Sequence, residues 1–161
     1  MRFSDGVEWS VHSCLVLAAL PEGVGLPGAK LAEFHSLPAA YLAKHMQALV
    51  RAGVVESIPG RHGGYRLARP ASEITVADVV TAIEGNRSAF RCTEIRRQGP
   101  GAGQPCEYQT ACLVSRVMGG AEQAWRSELS KWTLADLAFD PASAAYLRQD
   151  AWLSDVLEAR G

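Results

Sequence analysis

The chain has 161 residues, 48% hydrophobic and 20% charged, with a formal net charge of −1. This balance excludes a disordered chain, and no apolar run reaches the roughly 18 residues a membrane helix needs. The near-zero charge averages unlike ends. Residues 27–69 carry Lys30, Lys44, Arg51, Arg61, Arg66 and Arg69 against Glu33 and Glu56, whereas residues 133–161 carry Arg148 and Arg160 against Asp136, Asp140, Asp150, Asp155 and Glu158. A basic front half suits an anionic partner. The early apolar stretch Cys14 to Leu20 is too short for a span and no signal-peptide cleavage site follows, so a soluble cytoplasmic protein is expected. In that compartment clustered cysteines favour metal or redox chemistry over disulfides.

The first helix is expected from Asp5, with Asp5 as N-cap and Glu8 three residues on. Val7, Val11, Cys14, Leu15 and Ala18 recur at helical spacing as its buried stripe. Glu8 and His12 lie one turn apart on the flank of that stripe, with Trp9 beside them. Cys14 belongs to the stripe and reads as a core thiol. Pro21 and Gly23 end the helix. A short helix through Leu31 and Phe34 follows Leu26-Pro27-Gly28. His35-Ser36-Leu37 forms a turn, and a longer helix follows with Ser36 as N-cap and Pro38 in its first turn. Leu42, Met46, Leu49 and Val50 form its inner stripe, while Ala40, Lys44, Gln47 and Arg51 face outward with Tyr41. Two helices joined by a tight turn, the second with a basic outer face, match a helix-turn-helix.

Gly53 closes that helix. Val54–Ile58 and Tyr65–Ala68 read as two strands around the tip Pro59-Gly60-Arg61-His62-Gly63-Gly64. A basic hairpin directly behind a helix-turn-helix is a wing. Thr75 then caps a helix to Glu84 with Val76, Val79, Val80 and Ile83 inward and Gly85 at its end. The expected DNA contacts are Pro38, Ala39, Ala40 and Tyr41 toward base edges, and Lys44 and Arg61 on phosphates. Gly63 and Gly64 allow close backbone approach, and His62 shares the wing tip. His35 and His45 are given no chemistry.

Residues 92–112 hold three of the four cysteines in the spacing C-x13-C-x5-C, with a Gly/Pro-rich middle from Gln98 to Pro105. Thiolates suit an iron–sulfur cluster. Zinc sites usually show two close pairs, which this spacing lacks. A Cys106–Cys112 disulfide switch is a further reading. Thr110–Trp132 then forms a long helical pattern, about 30 Å at full length, with Leu113, Val117, Ala121, Ala124, Trp125, Leu129 and Trp132 apolar. It exceeds what the core of so small a domain requires and reads as a dimerisation arm. Thr133–Leu137 caps a further turn, and an amphipathic segment from Asp140-Pro141 ends the chain. The expected fold is mainly α with a small β-hairpin wing: a winged helix-turn-helix domain plus a long dimerisation helix. Its parts are 1–85 (DNA-binding), 86–109 (cysteine loop), 110–137 (dimerisation helix) and 138–161 (C-terminal helical segment). No P-loop, dinucleotide fingerprint or hydrolase motif is present, which argues against an enzyme.

Tyr41-Leu-x-Lys44, Leu49-x-x-Ala-Gly53-Val-Val, Gly60-Arg-x-Gly63-Gly64-Tyr65-x-Leu67-Ala68, Ile74-Thr75-Val76-x-Asp78-Val79-Val80, three cysteines and Thr133-Leu134-Ala135-Asp136-Leu137 occur in that order. Over residues 1–137 the chain resembles the family of winged-helix transcription regulators that includes IscR and NsrR, and within it the redox-sensing type. The resemblance implies a homodimer on operator DNA, with a cluster held by loop cysteines and, in some members, by a residue from the partner's first helix. Two departures stand out. The family spacing is C-x5-C-x5-C, so the first interval here carries eight extra residues. Both Glu8 and His12 stand where a ligand from the first helix would come, Glu8 matching the acid of the nitric-oxide-sensing type. The resemblance favours a [2Fe–2S] cluster on Cys92 and Cys112 of one subunit and Glu8 and His12 of the other, with Cys106 the least certain cysteine. A [4Fe–4S] cluster on three cysteines and Glu8 is the rival. Trp9 is the candidate switch residue. The implied function is a homodimeric transcription regulator switched by redox state or cluster loss; the alternative is a metal-free ligand- or thiol-responsive repressor.

Overall fold

Helix α1 (Asp5–Ala18) begins at the expected cap residue, so its N-cap falls one residue earlier. Ser4 is the N-cap, and its N–H and hydroxyl both donate to the Glu84 carboxylate (2.8 and 2.7 Å) rather than capping α1. A long-range partner thus replaces the local box drawn from Asp5 and Glu8. The computed structural model describes residues 3–61 and 63–160, the side chain of Cys106 excepted. After α1 come α2 (Gly28–Phe34), α3 (Ala39–Arg51), β1 (Val55–Ile58), β2 (Gly64–Leu67), α4 (Val76–Glu84), α5 (Leu113–Leu129) and α6 (Ala144–Glu158). Short 3-10 turns lie at Ala71–Glu73, Ile95–Arg97 and Pro105–Tyr108.

The turn of the helix-turn-helix is closed by backbone chemistry. Ser36 takes a left-handed conformation (φ 54°). Its N–H reaches the Glu33 carbonyl, and the Leu37 N–H reaches back to Ala32. This is a Schellman closure, so Ser36 ends α2 and does not cap α3. Pro38 is the residue that precedes α3. Gly53 (φ 69°) ends α3 the same way, with Gly53 N–H to Val50 and Val54 N–H to Leu49. In α3, Leu42, Met46 and Leu49 are buried, while Val50 lies at the exposed edge. Strands β1 and β2 pair antiparallel from Val55 with Leu67 to Ile58 with Gly64. Leu26 extends this sheet by bridging to Tyr65. Thr75 caps α4 in a reciprocal box with Asp78.

The sequence pattern overestimates α5. It runs Leu113–Leu129, about 25 Å at roughly 1.5 Å per residue. At its start, Cys112 keeps an extended backbone as the N-cap. Past its end, the chain straightens at Trp132–Thr133 to bridge Thr75: Val76 N–H bonds the Trp132 carbonyl, and Leu134 N–H bonds that of Ile74. Extended backbone there is incompatible with continuing the helix. No residue of α5 is buried, and Leu113, Val114, Val117 and Met118 stand 70%, 59%, 62% and 42% exposed.

The core draws on both ends of the chain. Cys14, Val16, Leu26, Leu31, Leu42, Met46, Leu49, Val55, Ile74 and Val79 pack with Leu134, Leu153 and Val156. Helix α6 rests on this layer, with Trp152 against Phe34 at a ring separation of 4.8 Å. The last quarter of the chain therefore completes the front domain's core. Among the described residues no helix is long and apolar enough to cross a membrane.

Leu134, fully buried, tests this arrangement. Leu134→Ala should lower unfolding free energy by about 2–5 kcal/mol in urea titrations at fixed protein concentration. A loss under about 0.5 kcal/mol, the range of surface changes, would remove the post-α5 segment from the core.

Candidate functional site

The outer end of α3 and the hairpin carry the residues expected to contact DNA. Pro38, Ala39, Ala40, Tyr41, Lys44 and Arg61 are all exposed. The Lys44 ammonium lies 5.6 Å from the Tyr41 ring centre, so Tyr41 steers a cation along the helix face. The two hairpin glycines have a second task. Gly63 is buried, and a Cβ there would run into the backbone of Ile58, Pro59 and Gly60. Gly64 has φ 130° and lies against the Leu26 backbone. Both are needed to close the wing, whatever it approaches. His62 lies outside the described residues.

Glu8 and His12 are exposed on α1, one turn apart, with Trp9 half-buried beside them. Trp9 packs edge-on against Tyr41 (centroids 5.5 Å) and His45 (5.8 Å). Both partners belong to α3, four residues apart and so on one face. Gly6 permits this closeness, since a Cβ there would meet the His45 imidazole. His45 is thus no lone histidine: it wedges α1 against the recognition helix, with Nε2 buried and without a hydrogen bond. The spacing Tyr41-x-x-x-His45 carried that signal. His35 is not isolated either. Its ring is 6.4 Å from that of His12, and burial, then the charge of His12, holds its pKa below the ordinary value. His12 also borders an open cavity of about 460 Å³ between α1, α2 and α6, lined by Phe139, Gln149 and Trp152.

The cysteine loop is organised around Arg96, which the sequence reading passed over. Its guanidinium bonds Glu94 (2.8 Å) and the Thr110 carbonyl (3.4 Å), and stacks on the Tyr108 ring at 5.2 Å. The Tyr108 hydroxyl donates back to the Arg96 carbonyl at 2.7 Å. Cys92, exposed, points its thiol at Glu94 (3.5 Å). The Arg96 pKa is raised, first by the Glu94 hydrogen bond and then by the negative potential of Glu94, Cys112 and Cys92. Both loop ends therefore lie within electrostatic reach of one guanidinium. The segment entering the loop is anchored on α5, where Glu122 accepts from the Ser88 hydroxyl and the Ala89 N–H. The Cys106 side chain lies outside the described residues. Cys14 is wholly buried, and burial pushes its thiol up to about 12, which suits a core residue and not a ligand.

Among the described residues, no three His, Cys, Asp or Glu side chains of a single chain converge as a metal site. Cys92 and Cys112 supply two soft donors at one end of the molecule. Glu8 and His12 supply an exposed carboxylate and imidazole on α1. Thiolates, and in some cases imidazole, are donor types that iron–sulfur clusters accept.

A family model described as Rrf2, iron-dependent transcriptional regulator, matches residues 3–140. The chain belongs to the Rrf2 family. It is a DNA-binding transcriptional regulator of that family, as the winged-helix motifs implied. YwgB of Bacillus subtilis (strain 168), named as an HTH-type transcriptional regulator, is 33% identical over 135 residues, covering 83% of this chain and 82% of its own. Among solved structures, CymR of B. subtilis, titled its global cysteine regulator, is 25% identical, with TM-score 0.61 over 86% of this chain and 96% of CymR. T. potens IscR, at 22% identity and TM-score 0.62 over 85% of each chain, shares the fold. The family model ends before α6 begins.

Cys14 sets a pH test. Its thiol ionises near 9.0 in the ordinary state and near 12 when folded. Between these values the unfolded chain releases the proton first, so Cys14's contribution is intact below pH 9.0 and is lost as pH rises toward 12. The slope is at most about 1.4 kcal/mol per pH unit. Cys14→Ala should flatten the alkaline loss of stability, measured by urea unfolding; parallel wild-type and variant curves would give Cys14 an ordinary pKa.

Proposed function

We propose that this Rrf2 regulator is a homodimer whose operator affinity is set by a [2Fe–2S] cluster shared between subunits. Cys92 and Cys112 of one subunit and Glu8 and His12 of its partner hold it. When bound, the cluster supplies a one-electron change in charge at the junction of the two chains. The observation that carries the reading is the packing of Trp9 on Tyr41 and His45. Glu8 and His12 flank Trp9 in sequence, so a force on these ligands acts directly on the recognition helix. The uncovered apolar face of α5 (Leu113, Val114, Val117, Met118) supports the dimer, since isolated chains rarely leave such a stripe in water. Arg96 counters negative charge at the loop end of the site.

On the DNA side, the helix start from Pro38 to Tyr41 meets base edges, and Lys44 and Arg61 neutralise phosphates. Ala39 and Ala40 offer only methyl contacts, so sequence readout rests on shape and on the wing as well.

A thiol switch is the second reading, favoured by the exposure of Cys92 and the cationic neighbour it shares with Cys112. Anaerobic purification with absorption, EPR and iron–sulfide analysis separates the two. The cluster reading expects coloured protein that loses its iron in Cys92→Ser and Cys112→Ser. DNA affinity should then differ about 5–150-fold among oxidised, reduced and apo forms. Iron-free protein, or binding curves that coincide across all three forms, would reject the cluster reading. Iron-free protein whose affinity responds to oxidant would establish the thiol switch.

Arg61→Ala should weaken DNA binding and reduce the magnitude of the log–log salt slope by about 0.9, the share of one phosphate contact. An unchanged slope would take Arg61 off the backbone.

A further inference from the structure

Helix α6 crosses the back of the helix-turn-helix and ends beside the wing. Past its last turn, the Arg160 guanidinium donates three hydrogen bonds, all to backbone carbonyls. One nitrogen reaches Gly25 at 2.7 Å; the other reaches Arg61 at 2.8 Å and Gly63 at 2.9 Å. These acceptors lie on two separate stretches of chain. Gly25 precedes Leu26, the residue that pairs with Tyr65 at the sheet edge. Arg61 and Gly63 are in the wing tip itself.

The tip needs such support. Strand pairing ends at Ile58 and Gly64, and the loop beyond turns through Gly60 at φ 100°. Within it, the Gly63 N–H donates to the Gly60 carbonyl at 3.0 Å. Carbonyls that point away from a sheet ladder must find donors elsewhere. A guanidinium is suited to gathering several, because its donors are fixed in one plane and its charge persists at any working pH. The base of the device is rigid. Leu153 and Val156 of α6 are sunk in the core, and Trp152 is held by Phe34.

We infer that Arg160 is a positioning residue for DNA binding: it clasps the wing tip to α6 and fixes the pose in which the tip meets DNA. The clasp is built from a segment that lies beyond the region matched by the Rrf2 model. The inference rests on the reading that Arg61 works from the wing on phosphate. It adds a residue that touches no DNA yet sets where Arg61 stands.

Two measurements on the full chain test it. Amide hydrogen exchange of residues 59–64 in free protein reads the clasp without DNA; Arg160→Gln should speed exchange there and leave α3 and α4 unchanged. Fluorescence anisotropy then uses a labelled duplex recovered from a random 30-bp library by selection with wild-type protein. Arg160→Gln should weaken binding about tenfold. Adding Arg61→Ala to Arg160→Gln should cost much less than Arg61→Ala alone, since a tip without its clasp has already lost the contact. Arg160→Lys keeps the charge but not the three-way fork, and should behave like Arg160→Gln.

Unchanged exchange, or an Arg61→Ala penalty that persists in full without Arg160, overturns the inference. Full binding by Arg160→Lys also overturns it, because direct attraction of a cation to DNA would then explain the effect. If Arg61→Ala itself costs nothing, the Arg61 reading fails, while the exchange data still decide whether the clasp exists.

Discussion

Two hydrogen bonds hold the molecule's unusual outline. The Val76 N–H meets the Trp132 carbonyl, and the Leu134 N–H meets the Ile74 carbonyl, around a bridge of Thr75 and Thr133. Each bridging strand runs straight into the same local device. Thr75 and Asp78 exchange hydrogen bonds on one side, and Thr133 and Asp136 do so on the other. Ile74 and Leu134 sit fully buried between them. Everything after α4, up to the end of α5, is thereby an excursion that leaves the core and returns to it. The cysteine loop and the apolar stripe of α5 are carried outward, free to meet a second chain, while α6 is brought back against α1 and α2.

That geometry gives α1 two duties. One flank carries Glu8 and His12 at the surface. The other leans through Trp9 on the recognition helix. Edge-on aromatic pairs are worth about 0.5–1.5 kcal/mol each beyond their buried area. The two pairs that Trp9 makes thus amount to about 1–3 kcal/mol, the same order as a regulatory coupling. Under the proposed reading, a shift of α1 that loosened this packing would alter operator affinity without unfolding anything. The wing is held differently, by hydrogen bonds from Arg160 to carbonyls. The recognition helix and the wing therefore answer to separate anchors, one on α1 and one on α6.

Much of this was legible in the chain. The helix-turn-helix, the hairpin and α4 are local structures whose periodicity and stop signals agree, and Thr75, Gly53 and Gly85 act where their chemistry suggests. The misreadings have identifiable causes. Ser36 has a good capping side chain but was claimed by the left-handed position that ends α2. Asp5 and Glu8 resemble a capping box, but Ser4 found Glu84 across the molecule. The apolar pattern past Leu129 continued, yet the backbone was needed in extended form at Thr133. At Ser36 a local demand prevailed over another local one; in the other two cases a long-range partner prevailed, and no spacing rule contains that partner. The same holds for Arg96, His45 and Arg160, whose roles lie in what folds against them.

The sequence by itself determined the elements and the winged DNA-binding module, because these depend on side-chain type and on distances of a few residues along the chain. Tertiary structure decided how they are connected. It set Trp9 on the recognition helix, gathered both ends of the cysteine loop around Arg96, sank Cys14 in the core, and brought Arg160 to the wing tip 97 residues away in sequence from Gly63. Those pairings are fixed by the packing of α1, α4 and α6 into one core, a condition on the whole chain that no single segment carries.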